Sequence, residues 1–234
     1  MNVLLLIPSS IGVSDVSEVF PASMAATIQP IETFIVENVR TARRFLRQIG
    51  YNRDFDSVRF LVLNENTTAQ ERSTFLDTIA EGSIGLLSEA GVPCVADPGA
   101  TIVAMAHRQG IPVIPLVGPS SILLALMASG LNGQNFAFNG YLPIEKSARE
   151  AKIKALETLV HKDNQTQIFI ETPYRNTHLM ESLCRVCDLR TALCIAKNIT
   201  QGDAFICTRT IAQWRSSLPN VDKQNTVFLM GQFA

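Results

Sequence analysis

The sequence predicts an α/β chain of two domains, the first built on a mostly parallel sheet and the second on a mixed one. Three observations carry this expectation. Short apolar, β-branched runs alternate with amphipathic stretches through the first half. After Gly118-Pro119 the strand-like runs follow one another more closely. The 234 residues, 47% of them hydrophobic, suffice for one large domain or two small ones and exclude a disordered chain.

Val3–Ile7, Thr33–Val36, Val58–Leu63, Ser83–Leu87 and Pro112–Leu116 read as strands. Between them, periodicity predicts helices over 14–27, 38–49, 68–81 and 99–109, the first capped by Ser14 and the last stopped by Gly110. Strand and helix in alternation mean βαβ units, hence parallel strands. An apolar helix over 120–129 follows, which Ser120 or Ser121 can cap. Then come strand 136–141, the mixed-charge helix 147–161, strand 166–171, a helix over 176–187, strands 192–196 and 204–208, a short helix 211–216 and strand 226–230. The domains are expected at 1–118 and 119–234.

A net charge of −1 offers no global basic field of the kind that wraps duplex nucleic acid, though a local RNA contact is compatible with it. The opening run breaks at Pro8 and lacks a basic leader, and no apolar run approaches the roughly 20 residues that span a bilayer. A cytoplasmic protein with no membrane contact is expected. Five scattered cysteines then read as reduced thiols. Cys184-Arg-Val-Cys187 has CxxC spacing, but late in a helical pattern, where two helix cysteines are the simpler reading than a redox pair or half a zinc site. His107, His161 and His178 fall in separate helices, and no metal is expected.

Ligands of an open parallel sheet bind beyond the carboxyl ends of its strands, so the loops there are the informative ones. Pro8-Ser-Ser-Ile-Gly12 carries neither GxGxxG nor a P-loop, which disfavours a phosphate-cradling fold. Glu37-Asn-Val-Arg40 opens a helix whose Arg40, Arg43, Arg44 and Arg47 share one face. Two readings stand side by side: a basic stripe for an anionic partner such as RNA, or a solvated face with Glu37 pairing Arg40. The loop Ser88–Gly99 combines glycines and prolines with Glu89 and Asp97. Its small residues admit a ligand to the backbone, and a stiff loop offering a carboxylate suits a cationic sulfonium. Asp97 itself reads as a cap. Pro115–Ser121 can supply N–H groups and hydroxyls at a helix start. Glu171, before Thr172 and Arg175, is either a general base or the structural partner of Arg175, the second being the simpler.

These segments resemble those of the tetrapyrrole (corrin/porphyrin) methylase superfamily, and within it the bacterial 16S rRNA 2′-O-ribose methyltransferases. Gly85-Leu-Leu-Ser-Glu-Ala-Gly-Val-Pro-Cys-Val-Ala-Asp-Pro-Gly99 matches their GL(I/V)SDAGTPxxSDPG. Val117–Ser121 matches PGPSA, Phe136–Pro143 matches FxFxGFLP, Glu171–Arg175 matches ESPHR, and Glu37–Arg40 matches EDTR. The matches run in order along nearly the whole chain. The resemblance implies a homodimer, two α/β domains with the cofactor in the cleft between them, and S-adenosyl-L-methionine as methyl donor. The donor would touch Ile7, Pro8, Glu89, Val92, Ser120 and Ser121, then Thr172, Ala196, Lys197 and Leu229. Three departures stand out. Glu89 replaces an Asp, Pro8–Gly12 lacks the family's TPIGNL, and Lys197–Ala204 lacks both acids of RELTKxxE and its Lys after Thr. The expected reaction is SN2 methyl transfer. The acceptor is a ribosomal RNA 2′-hydroxyl, with a ribosomal subunit as partner, or else a tetrapyrrole or other small molecule; a non-catalytic cofactor-binding homologue is the remaining alternative.

Overall fold

The computed structural model describes residues 2–12 and 15–233, in two compact units, Met1–Ser120 and Ser121–Ala234.

In the first unit, β1 (Leu4–Ile7), β2 (Thr33–Val36), β3 (Arg59–Val62), β4 (Ile84–Leu87) and β5 (Val113–Pro115) form one sheet in the order β3-β2-β4-β1-β5. Every pairing in it is parallel. Side chains of successive residues point to opposite faces, and the core divides accordingly. Leu5, Ile7, Phe34, Val36 and Leu87 pack on one side with Met24 and Ile28 of α2 (Ser23–Ile28) and Phe45 and Leu46 of α3 (Val39–Gln48). Leu4, Ile35, Ile84 and Leu86 pack on the other with Phe75, Leu76 and Ile102 and Ala106 of α5 (Ala100–Arg108). The sheet is therefore doubly wound. Strand β4, whose helix lies on one face, sits between β1 and β2, whose helices lie on the other.

Two predicted helices are broken. The one expected over 14–27 is α1 (Val16–Val19) and then α2, because Pro21 lies between them and cannot continue a helix. Asp15 caps α1, accepting from Ser17 N at 2.9 Å, and the expected cap Ser14 lies outside the described residues. The one expected over 68–81 begins with a capping box, Thr68 with Glu71, but α4 (Ala69–Ser73) stops after five residues. Ser73 and Thr74 turn their hydroxyls back onto Gln70 O and Glu71 O at 2.6 and 2.9 Å, competing with propagation. A tight turn at Asp77–Ala80 follows.

The second unit opens with α6 (Ser121–Ser129). Its sheet holds β6 (Phe136–Tyr141), β7 (Thr166–Ile170), β8 (Ala192–Lys197), β9 (Phe205–Thr210) and β10 (Thr226–Gly231) in the order β6-β7-β10-β8-β9. Only β6 and β7 pair in parallel and the rest are antiparallel, so the sheet is mixed as the consecutive strands predicted. One face packs Phe169, Ile195 and Phe228 against α7 (Lys146–Asp163), α8 (Asn176–Val186) and α9 (Ile211–Ser216). Buried Trp214 of α9 donates its indole N–H to Leu193 O at 2.8 Å. Thr208 Oγ1 donates to Ser129 O at 2.6 Å, which fixes α6 on the opposite face with Cys194 and Leu229.

Cys184 lies in α8 and Cys187 ends it. Both are buried, and Cys187 Sγ donates to Met230 Sδ at 3.7 Å. Burial raises both thiols above the ordinary range, which leaves them protonated and inert. Among the described residues no helix is long and apolar enough to cross a membrane.

Candidate methyl-donor site

The loops after β1, β4 and β5 meet at the carboxyl edge of the first sheet. Ser9 N donates to Gly91 O at 2.9 Å and Gly91 N returns a bond to Ser9 O at 3.1 Å. Ser88 Oγ donates to Gly91 O at 2.5 Å, and Ser9 Oγ lies 3.4 Å from Ser88 Oγ. Gly91 has φ +73°, and a Cβ there would stand 2.9 Å from Ile11 Cγ2 and 3.1 Å from Pro119 O. Only glycine serves both demands, a left-handed backbone and contact with two other loops. At Gly118 a Cβ would lie 2.2 Å from Pro8 Cγ, so the β1 and β5 loops also touch directly.

The remainder of the β4 loop is strained and internally braced. Cys94 and Ala96 hold φ +69° and +58°, conformations that side-chain-bearing residues seldom adopt. Asp97 Oδ1 accepts from Cys94 N at 2.9 Å and Gly99 N at 2.6 Å, holding the turn in shape. Asp97 thus braces its own loop, and α5 starts without a side-chain cap. Strain of this kind persists where surroundings over-determine it, commonly at ligand loops.

Of the sequence-derived donor contacts in this unit, Ile7 and Pro8 are buried, Val92 is partly buried and Glu89 is exposed. Glu89 Oε1 accepts from Thr41 Oγ1 of α3 at 2.6 Å. The pairing of Glu37 with Arg40 is not formed. Glu37 instead lies near Asp97 and Glu89, and its carboxyl is pushed above its ordinary value by burial first and then by repulsion from Asp97. Asp97 is likewise raised by burial, with its two N–H donors opposing. A narrow crevice with no room for a water molecule adjoins this pair, between Val36, Leu87, Pro98 and Gly99. A larger hollow of about 420 Å³ lies at the amino ends of the strands, where its arginine is paired, Arg59 with Glu81 at 3.5 Å. Strand-end chemistry selects the carboxyl edge over it.

In the second unit Glu171 follows β7 with its side chain 1% exposed. Its Oε1 accepts from Thr172 N at 2.6 Å and from Arg175 Nε and Nη2 at 2.9 and 2.5 Å. This is the structural pair, a buried carboxylate held by a fork of donors. Thr172 is partly buried. Lys197 ends β8, with Nζ 5.8 Å from the Phe205 ring centroid and 3.3 Å from Asn220 O. Ala196 and Leu229 are fully buried within the sheet. Ser120 and Ser121 are partly buried where the chain enters α6.

All four arginines of α3 are exposed, and among the described residues none is in a salt bridge. Arg43 lies 5.3 and 5.1 Å from the Phe55 and Phe60 centroids, and Arg47 lies 4.0 Å from that of Phe55. The helix tolerates them because it buries Ala42, Phe45 and Leu46. Burying the two larger side chains contributes about 3–6 kcal/mol. Mutual repulsion over the like-charged i,i+3 and i,i+4 pairs costs at most about 2 kcal/mol. Folding therefore accommodates the stripe without requiring it. Sequence reading placed Ser9 and Ser88 in candidate loops without assigning either a partner, and missed Thr41. Ser and Thr beside strand ends were the available signal, but their partners lie 48 to 79 residues away.

A doubly wound parallel unit followed by a mixed-sheet unit is the fold of the tetrapyrrole methylases. Three solved structures cover 98–100% of this chain at 12–14% identity. They are the methyltransferase CobJ (TM-score 0.64), cobalt precorrin-4 methyltransferase CbiF (0.61) and uroporphyrin III C-methyl transferase from Thermus thermophilus (0.60). The sequence relatives of the chain are ribosomal RNA small subunit methyltransferases I. That of Vibrio cholerae is 29% identical over 233 residues, 97% of this chain and 76% of that one. That of Escherichia coli O157:H7 is 28% identical over 200 residues, covering 85% and 65%. That of Mesorhizobium japonicum is 34% identical over 158 residues, covering 67% and 50%. No family model matches the chain.

Proposed function

We propose that this protein is an S-adenosylmethionine-dependent methyltransferase acting on a ribose 2′-hydroxyl of ribosomal RNA. The observation that carries the reading is the stitching of three strand-end loops around Gly91, at the edge of the sheet where ligands bind, in a chain whose relatives are named rRNA methyltransferases. The residues suit such a donor: backbone close to the surface, small side chains, and the Glu89 carboxylate for a cationic ligand.

Bound S-adenosylmethionine supplies a methyl group on a positively charged sulfur. Of the residues the resemblance implies, Glu89, Val92 and Ser120 in the first unit and Ser121, Thr172 and Lys197 in the second keep exposed surface for a ligand, and the buried Ile7, Pro8, Ala196 and Leu229 shape the strands behind them. Transfer forms a C–O bond to the acceptor as the S–C pair returns to sulfur, and the hydroxyl proton leaves to solvent. Alignment of the reactants and exclusion of water supply the acceleration, with no base demanded of the chain. Glu171, committed to Arg175, fits a structural part better than a proton acceptor. Arg40, Arg43, Arg44 and Arg47 engage the RNA backbone. The same reading has the protein working in the cytoplasm as a homodimer; Leu123 and Met127 on one side of α6, 51% and 80% exposed, support an assembled state.

Calorimetric titration with S-adenosylmethionine should give saturable binding, and labelled methyl should enter the RNA of small ribosomal subunits. Absence of binding at millimolar donor would sink the cofactor, and label entering only small molecules would replace RNA with a tetrapyrrole-like acceptor.

A further inference from the structure

The loop after β4 is fastened to its own unit at the Gly91 bridge described above and at Glu89. The Glu89 backbone N–H donates to the Glu37 carboxylate. Its side chain is held by one contact, Thr41 Oγ1 donating to Glu89 Oε1 at 2.6 Å. Thr41 sits in the first turn of α3, where its position is set by the helix cap. Asn38 Oδ1 accepts from Arg40 N at 2.9 Å and from Thr41 N at 3.3 Å. The Thr41 hydroxyl has one proton and two acceptors in range, Asn38 O at 3.0 Å and the Glu89 carboxylate. The shorter, charged partner holds the proton. A carboxylate at this end of a ten-residue helix also meets the positive end of its dipole. Glu89 Oε2 has no partner among the described residues, so the tether leaves one oxygen free while fixing the other.

We infer that Thr41 is a positioning residue for the methyl donor: it holds the Glu89 carboxylate in one orientation, ready to accept from a donor N–H or O–H group. This rests on the function proposed above. The length of residue 89 is part of the device. An aspartate there is shorter by one methylene, about 1.5 Å, which breaks a 2.6 Å contact to Thr41. The glutamate at this position, where the resembling family has aspartate, is thereby matched to a threonine on α3. Holding an exposed carboxylate in place lowers the ordering cost of binding.

The test is donor affinity and steady-state kinetics for Thr41→Val, Thr41→Ser, Glu89→Asp and the double variant Thr41→Val/Glu89→Asp. Thr41→Val should weaken S-adenosylmethionine binding by about three- to tenfold, the worth of one hydrogen bond. The donor KM should rise while kcat stays within about twofold. Thr41→Ser, which keeps the hydroxyl, should restore affinity. Glu89→Asp should resemble Thr41→Val, and the double variant should be no weaker than the worse single one, since both remove the same hydrogen bond. Unchanged affinity in Thr41→Val, additive losses in the double variant, or no rescue by serine would overturn the inference. Absence of donor binding by the unaltered protein would instead overturn the function on which it rests.

Discussion

Ser9 and Gly91 exchange two backbone hydrogen bonds, N to O in each direction at 2.9 and 3.1 Å, and so close the β1 loop onto the β4 loop. They form an isolated antiparallel bridge at the end of an otherwise parallel sheet. The strand ends thereby become one rigid surface, and a disturbance there propagates into all three loops.

Gly91→Ala is the most direct disturbance. The methyl must enter a left-handed position and crowd Ile11 and the Pro119 carbonyl. Strain of this kind costs about 1–3 kcal/mol. The melting temperature should fall, and donor affinity should fall more than the stability loss explains, because the loop is displaced and not merely loosened. Thermal denaturation and calorimetry on the same preparation separate the two effects.

Arg43→Ala with Arg44→Ala removes two exposed charges from α3. Arg43 also covers Phe55 and Phe60, at a cation–π worth of about 0.5–1 kcal/mol. Stability should drop only slightly. Affinity for small-subunit RNA should weaken, and the slope of log K against log salt should become shallower by roughly one unit for each phosphate no longer neutralised. A salt slope that does not move would assign the stripe to solvent.

Arg175→Met leaves the buried Glu171 carboxylate without its cation, and breaking such a pair costs about 3–5 kcal/mol. Glu171→Gln keeps an acceptor oxygen for Arg175 and Thr172 N–H, so turnover should stay within about threefold of the unaltered enzyme. A loss of two orders of magnitude in kcat for Glu171→Gln, with folding intact, would make Glu171 a base after all.

Glu37 has a sharper pH signature. Burial and Asp97 raise its folded-state pKa above the ordinary value of 4.5. The folded protein therefore holds this proton to higher pH than the unfolded chain does. Stability from this group is fully present below 4.5 and declines as pH rises through the folded-state value. Glu37→Gln should flatten that decline and raise the melting temperature at pH 7. Melting curves from pH 4 to pH 8 check it, and an unchanged slope would mean that solvent already relieves the repulsion.

Much of this protein follows from local patterning. The ten strands among the described residues were readable as short runs between turn residues; Thr33–Val36, buried at every position, is a continuous apolar run, whereas β3, β5, β6 and β9 are partly exposed. The mixed second sheet was readable from β8 and β9, which follow one another with no helix between them, and from the short α9 before β10. The resemblance to rRNA methyltransferases followed from collinear motifs, and the strand-end loops were identifiable as candidates because parallel sheets bind ligands there. Local propensity misjudged 14–27 and 68–81, where Pro21 and the back-bonded Ser73 and Thr74 outweigh periodicity. What only the tertiary structure decided is which residues answer one another. Glu37 faces Asp97 and not Arg40, Asp97 braces its own turn, Arg43 and Arg47 rest on Phe55 and Phe60, and Glu89 meets Thr41. The physical reason is common to these cases. Periodicity reports which face of an element is buried, whereas partners across loops depend on where the sheet order β3-β2-β4-β1-β5 brings distant strand ends together.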